Sequence, residues 1–86
     1  MSSEAHEKTE MIAKLFLSTK GIASMRKLIH GLFTESEILE FAQRLEIVRL
    51  LKKGMPQHKV ALQLRVGVAT VTRGAKEIKL GRFANV

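Results

Sequence analysis

Residues 56–74 have the apolar spacing of a helix-turn-helix, which is the feature that most restricts how this chain can fold. Two short helices joined by a tight turn must touch at fixed positions. Apolar or small residues occupy those positions, namely Val60, Ala61, Leu64, Val66 and Val71. In this pattern the position after Leu64 is usually glycine, because the left-handed conformation costs glycine the least free energy. Arg65 stands there and Gly67 comes two residues later, so we expect a wider turn than usual.

The polar residues of the same segment lie at the starts of its two helices. A helix-turn-helix places its second helix in the major groove of DNA. The N-terminal residues of its two helices then contact phosphates and base edges. The candidate DNA-binding residues are Gln57, His58, Lys59, Val68, Ala69, Thr70, Thr72, Arg73, Lys76 and Lys79. The alternative is a helical hairpin in a small α-domain with no role in DNA binding.

The net positive charge of the chain comes entirely from the half that contains this motif. The net charge is +7, but residues 1–43 have five basic against six acidic residues and residues 44–86 have ten against two. Such an asymmetry favours a polyanionic partner, since Lys and Arg displace the counterions that phosphates condense. A membrane surface fits less well, because no basic segment is backed by an aromatic-rich apolar face. We expect a cytoplasmic protein, as there is no cysteine, signal peptide or membrane span.

Hydrophobic periodicity predicts a single all-α domain over residues 1–86, with helices near 4–19, 22–32, 35–53, 56–64 and 68–79. Residues 1–33 hold two N-terminal dimerisation helices, 34–54 the long central helix, 55–80 the helix-turn-helix and 81–86 a frayed tail. Thr34 and Glu37 have the spacing of a capping box at the start of the central helix.

The central helix is apolar on two faces. One stripe consists of Ile38, Phe41, Leu45 and Val48, and the other of Leu39, Ile47, Leu50 and Leu51. In so short a chain this predicts that a second subunit covers part of the helix, giving a homodimer. The alternative is a helix at the centre of a monomeric bundle.

Residues 42–51, Gly54, Gln57 and the run 68–74 (Val-Ala-Thr-Val-Thr-Arg-Gly) resemble the trp repressor family, with similarity over about 32–79. The resemblance implies an intertwined, all-helical homodimer that binds operator DNA as a transcriptional repressor. The founding member of that family uses L-tryptophan as corepressor, so the resemblance also implies a small-molecule effector of this kind.

The effector residues that the resemblance implies are Thr34, Arg44, Thr70, Arg73, Gly74 and Glu77. Arg44 matches the arginine that meets the effector's carboxylate, and Arg73 the arginine that stacks on its indole; such contacts are physically favourable. Glu77 departs from the family, since the founding member has a small serine there. The connection near residues 50–54 is also one residue shorter than in the founding member, and we expect the family's extra C-terminal helix to be absent. A relative that binds DNA without a ligand is therefore the alternative, in which Arg44 pairs with a nearby glutamate and Arg73 contacts phosphate.

No enzyme site emerges from the sequence. The three histidines, His6, His30 and His58, lack the spacing of a metal site, and we expect no catalytic residue, metal or cofactor besides the effector. A second class of function stays open, namely a helical protein-interaction or assembly module whose basic face docks on an acidic partner.

Overall fold

The computed structural model of the chain describes residues 1–86 and contains five α-helices and no strand. The helices are α1 (Ser3–Ser18), α2 (Ile22–Leu32), α3 (Glu35–Lys52), α4 (Gln57–Leu64) and α5 (Val68–Lys79). The prediction of an all-α chain with five helices is confirmed, and each helix boundary lies within one residue of its expected place. None of these helices is both long and apolar enough to cross a membrane.

The chain forms two compact units, and the first of them, Met1–Glu35, contains α1 and α2. The Ser2 hydroxyl caps α1 by accepting a hydrogen bond from the amide of Ala5 (3.0 Å), as expected for a serine at that position. Gly21, with φ of +85°, precedes α2. Neither α1 nor α2 contains a buried residue, although both carry the apolar stripes that the sequence predicts.

The second unit, Ser36–Val86, contains the core. Its buried cluster consists of Ile47 from α3, Val60 and Ala61 from α4, and Val71 from α5. Half-buried apolar residues pack around it, namely Leu50, Leu51, Met55, Leu64 and Val66. Every residue assigned to packing in the helix-turn-helix pattern is therefore part of this core, which confirms the pattern.

The turn between α4 and α5 differs from the sequence prediction. Only residues 65–67 separate the two helices, so the turn has the usual length rather than a wider one. Arg65 itself adopts the left-handed conformation (φ 57°, ψ 47°) that glycine usually supplies. The amides of Arg65 and Val66 both donate to the carbonyl of Ala61, the second at 3.0 Å, and these two bonds close the end of α4.

Residues 81–86 also differ from the expected frayed tail, because they form successive turns beside α3 and α5. Gly81, with φ of +79°, reverses the chain after α5. The Lys52 ammonium group then donates hydrogen bonds to the backbone oxygen atoms of Phe83 (2.5 Å) and Val86 (2.9 Å). A sequence pattern cannot reveal this anchoring, since Lys52 is more than thirty residues away in the chain.

Candidate nucleic-acid interface and the cavity beside it

Helix α5 has one face in the core and the opposite face in solvent. Val71 is fully buried, and Gly74, Ala75 and Ile78 are half-buried on the same side. The exposed side carries the polar and basic residues, at helical spacing: Ala69, Thr72, Arg73, Lys76 and Lys79. The second helix of the motif therefore presents the surface with which such helices contact DNA.

The start of α4 lies beside this exposed face. The Thr72 hydroxyl donates a hydrogen bond to the side-chain carbonyl oxygen of Gln57 (2.9 Å), joining the first turn of α4 to α5. Gln57, His58 and Lys59 are all exposed at that helix start. The ten predicted DNA-binding residues are thus all exposed, and the Gln57–Thr72 bond brings α4 and α5 members of the set into contact.

A cavity of about 510 Å³ opens between α3, α5 and the turns that follow α5. Its lining residues are Arg44, Ile47, Val48, Ala69, Thr70, Arg73, Gly74, Glu77, Arg82 and Phe83. Cavities that bind small organic molecules fall in this range of volume and combine an apolar wall with a few charged groups.

Five of the six predicted effector residues line this cavity: Arg44, Thr70, Arg73, Gly74 and Glu77. The sixth, Thr34, belongs to the first unit, so its role stays a prediction. Ala69, Thr70 and Arg73 belong both to the predicted DNA-binding set and to the cavity wall. A molecule in the cavity would therefore contact α5, the second helix of the motif.

Arg44 lies next to an aromatic ring rather than a carboxylate. Its guanidinium carbon is 5.4 Å from the centre of the Phe41 ring, within the range of a cation–π contact. The structure shows an ion pair between Arg82 and Glu77 and none that involves Arg44, so it does not support the alternative in which Arg44 pairs with a nearby glutamate. The Arg44 guanidinium makes no hydrogen bond within the chain, so its N–H donors can bind another partner.

Glu77 has a partner that the sequence pattern did not reveal. Arg82 Nε lies 3.3 Å from Glu77 Oε2, and the amide of Arg82 donates to the carbonyl of Glu77 (3.2 Å). Arg82 and Phe83 both line the cavity, and neither was among the candidate site residues. The sequence feature that could have revealed these two residues is Gly81, since a glycine just after a helix often allows the chain to turn back.

Comparison with known proteins places this arrangement in a family. Residues 7–84 match the Trp repressor protein family. The uncharacterized protein YerC of Bacillus subtilis (strain 168) is 32% identical over 68 residues, covering 79% of this chain and 65% of the relative. Trp operon repressor homologs from two strains of Vibrio vulnificus are each 43% identical over 54 residues, covering 62% of this chain and 53% of the relative.

The chain thus spans between about half and two thirds of the length of these relatives. No solved structure is significantly similar to it. The family match, however, runs from α1 through the turns that follow α5. The chain therefore belongs to the Trp repressor family, which consists of transcription regulators rather than enzymes.

Proposed function

We propose that this protein is a sequence-specific regulator that binds double-stranded DNA, acts as a transcriptional repressor in the cytoplasm, and uses α5 as its recognition helix. The observation that carries the proposal is the exposed face of α5, which holds threonine, arginine and lysine side chains over a well-packed helix-turn-helix core. The name of the Vibrio relatives, Trp operon repressor homolog, supports the repressor role.

The contacts divide into two classes. Lys59, Lys76 and Lys79 meet phosphates, which supplies affinity but no sequence information. Thr70 and Thr72 face base edges, and the hydrogen bond from Thr72 holds Gln57 next to them. Binding at a promoter then excludes other proteins from the same DNA.

Salt dependence of DNA binding tests this assignment. Lys59→Ala and Lys79→Ala should each weaken binding to every sequence and lower the slope of log K against log salt by about 0.9 for each phosphate that the protein no longer neutralises. Lys14→Ala is the matched control, because it removes the same charge from the exposed surface of α1 in the first unit. Fluorescence anisotropy with operator and random duplexes measures both quantities.

The competing proposal, a helical assembly module with an acidic protein partner, gives a different result in this experiment. It predicts no preference among duplex sequences at any salt concentration. Equal affinity for selected and random DNA, with all three lysine variants alike, would contradict a sequence-specific regulator.

The active species in this proposal is a homodimer that intertwines through α1, α2 and α3. None of the residues of α1 and α2 is buried, and in α3 only Ile47 and Val48 are. Leu39 is 64% exposed although it lies on one of the apolar stripes. A second copy of the chain would cover these apolar surfaces.

The cavity supports a second element of the proposal, namely that L-tryptophan or a related small carboxylate gates DNA binding. Arg44 would meet the carboxylate, and Arg73 would stack on a planar ring. Gly74 leaves room beside them, whereas Glu77 is already paired with Arg82. Because Arg73 belongs to the recognition helix, ligand binding and DNA binding would be coupled.

Calorimetry with L-tryptophan and related indoles tests the gating. Arg44→Leu should weaken ligand binding by about 1.5 kcal/mol, the low end for a charge-assisted bond, and leave basal DNA affinity unchanged. Arg73→Ala should weaken both, since that residue belongs to both sets. If no heat is measured and DNA affinity is indifferent to these compounds, the ligand-independent alternative is correct.

A further inference from the structure

The turns after α5 join the end of the recognition helix to the end of α3. At one end, Arg82 returns to Glu77 in the last turns of α5 through an ion pair and a backbone hydrogen bond. At the other, the ammonium group of Lys52, the last residue of α3, donates hydrogen bonds to the backbone oxygen atoms of Phe83 and Val86. Phe83, which directly follows Arg82, is half-buried in the cavity wall.

We propose that residues 80–86 form a brace that holds α5 against α3, so that the protein already has a basal affinity for DNA before a small-molecule effector raises it. The proposal rests on the function proposed above and concerns the regulation of that same surface. In it, Arg82 pairs with Glu77 of α5, the carbonyl of Phe83 accepts a hydrogen bond from Lys52 of α3, and both residues line the cavity.

The physical reason is that, without the brace, the C-terminal part of α5 is only weakly held in position relative to α3. The core cluster fastens α5 through Val71, near its start, while the part after Gly74 has no fully buried side chain. A helix held at one end changes its tilt easily, and a change in tilt moves its base-facing side chains relative to the groove. The brace supplies the second attachment, at Glu77.

Lys52 is the residue whose substitution opens the brace with least damage elsewhere. Its side chain is exposed and is not part of the core or of the cavity wall. Lys53, next to it, is also exposed and its side chain makes no hydrogen bond or ion pair, so Lys53→Met removes the same charge from the same end of α3. Comparing Lys52→Met with Lys53→Met therefore separates the effect of the brace on DNA affinity from the effect of losing one positive charge.

The experiment measures DNA affinity of the full chain in buffer free of amino acids, for the wild type, Lys52→Met, Lys53→Met and Lys52→Arg. We expect the wild type to bind, and Lys52→Met to bind about fivefold more weakly than Lys53→Met, the upper range for an exposed charged contact. Lys52→Arg should restore most of the affinity, because it keeps a cationic donor. Phe83→Ala should weaken binding about fivefold or more, as expected for a coupling between two sites.

Amide hydrogen exchange supplies a readout that does not depend on DNA. The amides of Gly81, Arg82 and Val86 donate hydrogen bonds from the brace, so Lys52→Met should raise their exchange rates and Lys53→Met should not. Equal exchange and equal DNA affinity in the two methionine variants would overturn the brace while leaving the proposed function intact.

Two further outcomes distinguish the proposals. If the wild type binds DNA only when L-tryptophan is added, effector-free binding is wrong and the regulator proposal stands. If the wild type binds no duplex under any condition, the proposed function fails and with it effector-free binding, while the exchange rates still decide whether residues 80–86 are held by Lys52.

Discussion

Gly74 determines how closely α5 approaches α3. A Cβ atom placed on Gly74 would lie 3.0 Å from Cγ2 of Ile47 and 3.8 Å from Cδ1 of Leu51. The first distance is shorter than side chains normally tolerate, and Ile47 is 1% exposed, so it has little room to move. The absent side chain is therefore what allows α5 to pack on Ile47 while leaving the cavity open beside it.

Substituting this glycine gives a prediction at the scale of one residue. Gly74→Ala should be less stable than Gly31→Ala by about 1–3 kcal/mol, the usual cost of overpacking a core. Both positions are helical and gain the same propensity from alanine, roughly 1 kcal/mol, but nothing lies within 4 Å of a Cβ on Gly31. Urea unfolding of both variants measures the difference; equal stability would mean that Ile47 moves freely.

At the scale of the element, α5 serves the core, the cavity and the exposed surface with different faces. Val71 anchors it, Gly74 and Glu77 line the cavity, and Thr72 with Lys76 faces solvent. The sequence predicted this division, because the 3.6-residue period of a helix assigns positions three and four apart to one face. It also placed Arg44 and Arg73 together through the family resemblance, and the structure brings both to one cavity.

Acidic substitutions on the exposed face of α5 should abolish sequence-specific binding. Thr70→Glu or Thr72→Glu introduces a carboxylate that faces phosphates and base edges, where repulsion and desolvation both oppose binding. Thr9→Glu is the control, because it adds the same charge to the exposed surface of α1. Anisotropy titrations against operator and random DNA measure specificity. Unchanged operator selection in both α5 variants would show that α5 does not face the groove as proposed.

At the scale of the whole molecule, apolar side chains on the surface outnumber those in the core. The residues of α1 and α2 that are exposed despite being large and apolar are Met11, Ile12, Leu15, Leu17, Ile22 and Leu32. An amphipathic helix derives most of its stability from burying its apolar face. Helices with this pattern and no buried residue are expected to be covered by another chain.

We therefore expect a dimer at micromolar concentration in sedimentation velocity experiments. Leu15→Glu should reduce the dimer or prevent folding, since Leu15 lies on the apolar face of α1 that a partner would cover. Leu62→Glu is the matched control, because Leu62 is 77% exposed on α4, away from the predicted dimerisation helices. A compact, folded wild-type monomer would contradict the intertwined arrangement.

The sequence by itself determined the five helices, their boundaries and the residues of the helix-turn-helix core, because these depend on local periodicity, glycine and proline positions. It was wrong about the turn: Arg65 takes the left-handed conformation, since hydrogen bonds at the end of α4 and the packing of Val66 outweigh the preference for glycine. Only the tertiary structure decided the role of residues 81–86. Their attachment to Lys52 and Glu77 depends on hydrogen bonds and an ion pair whose partners meet only after α3 and α5 have packed together, and no local pattern encodes that meeting.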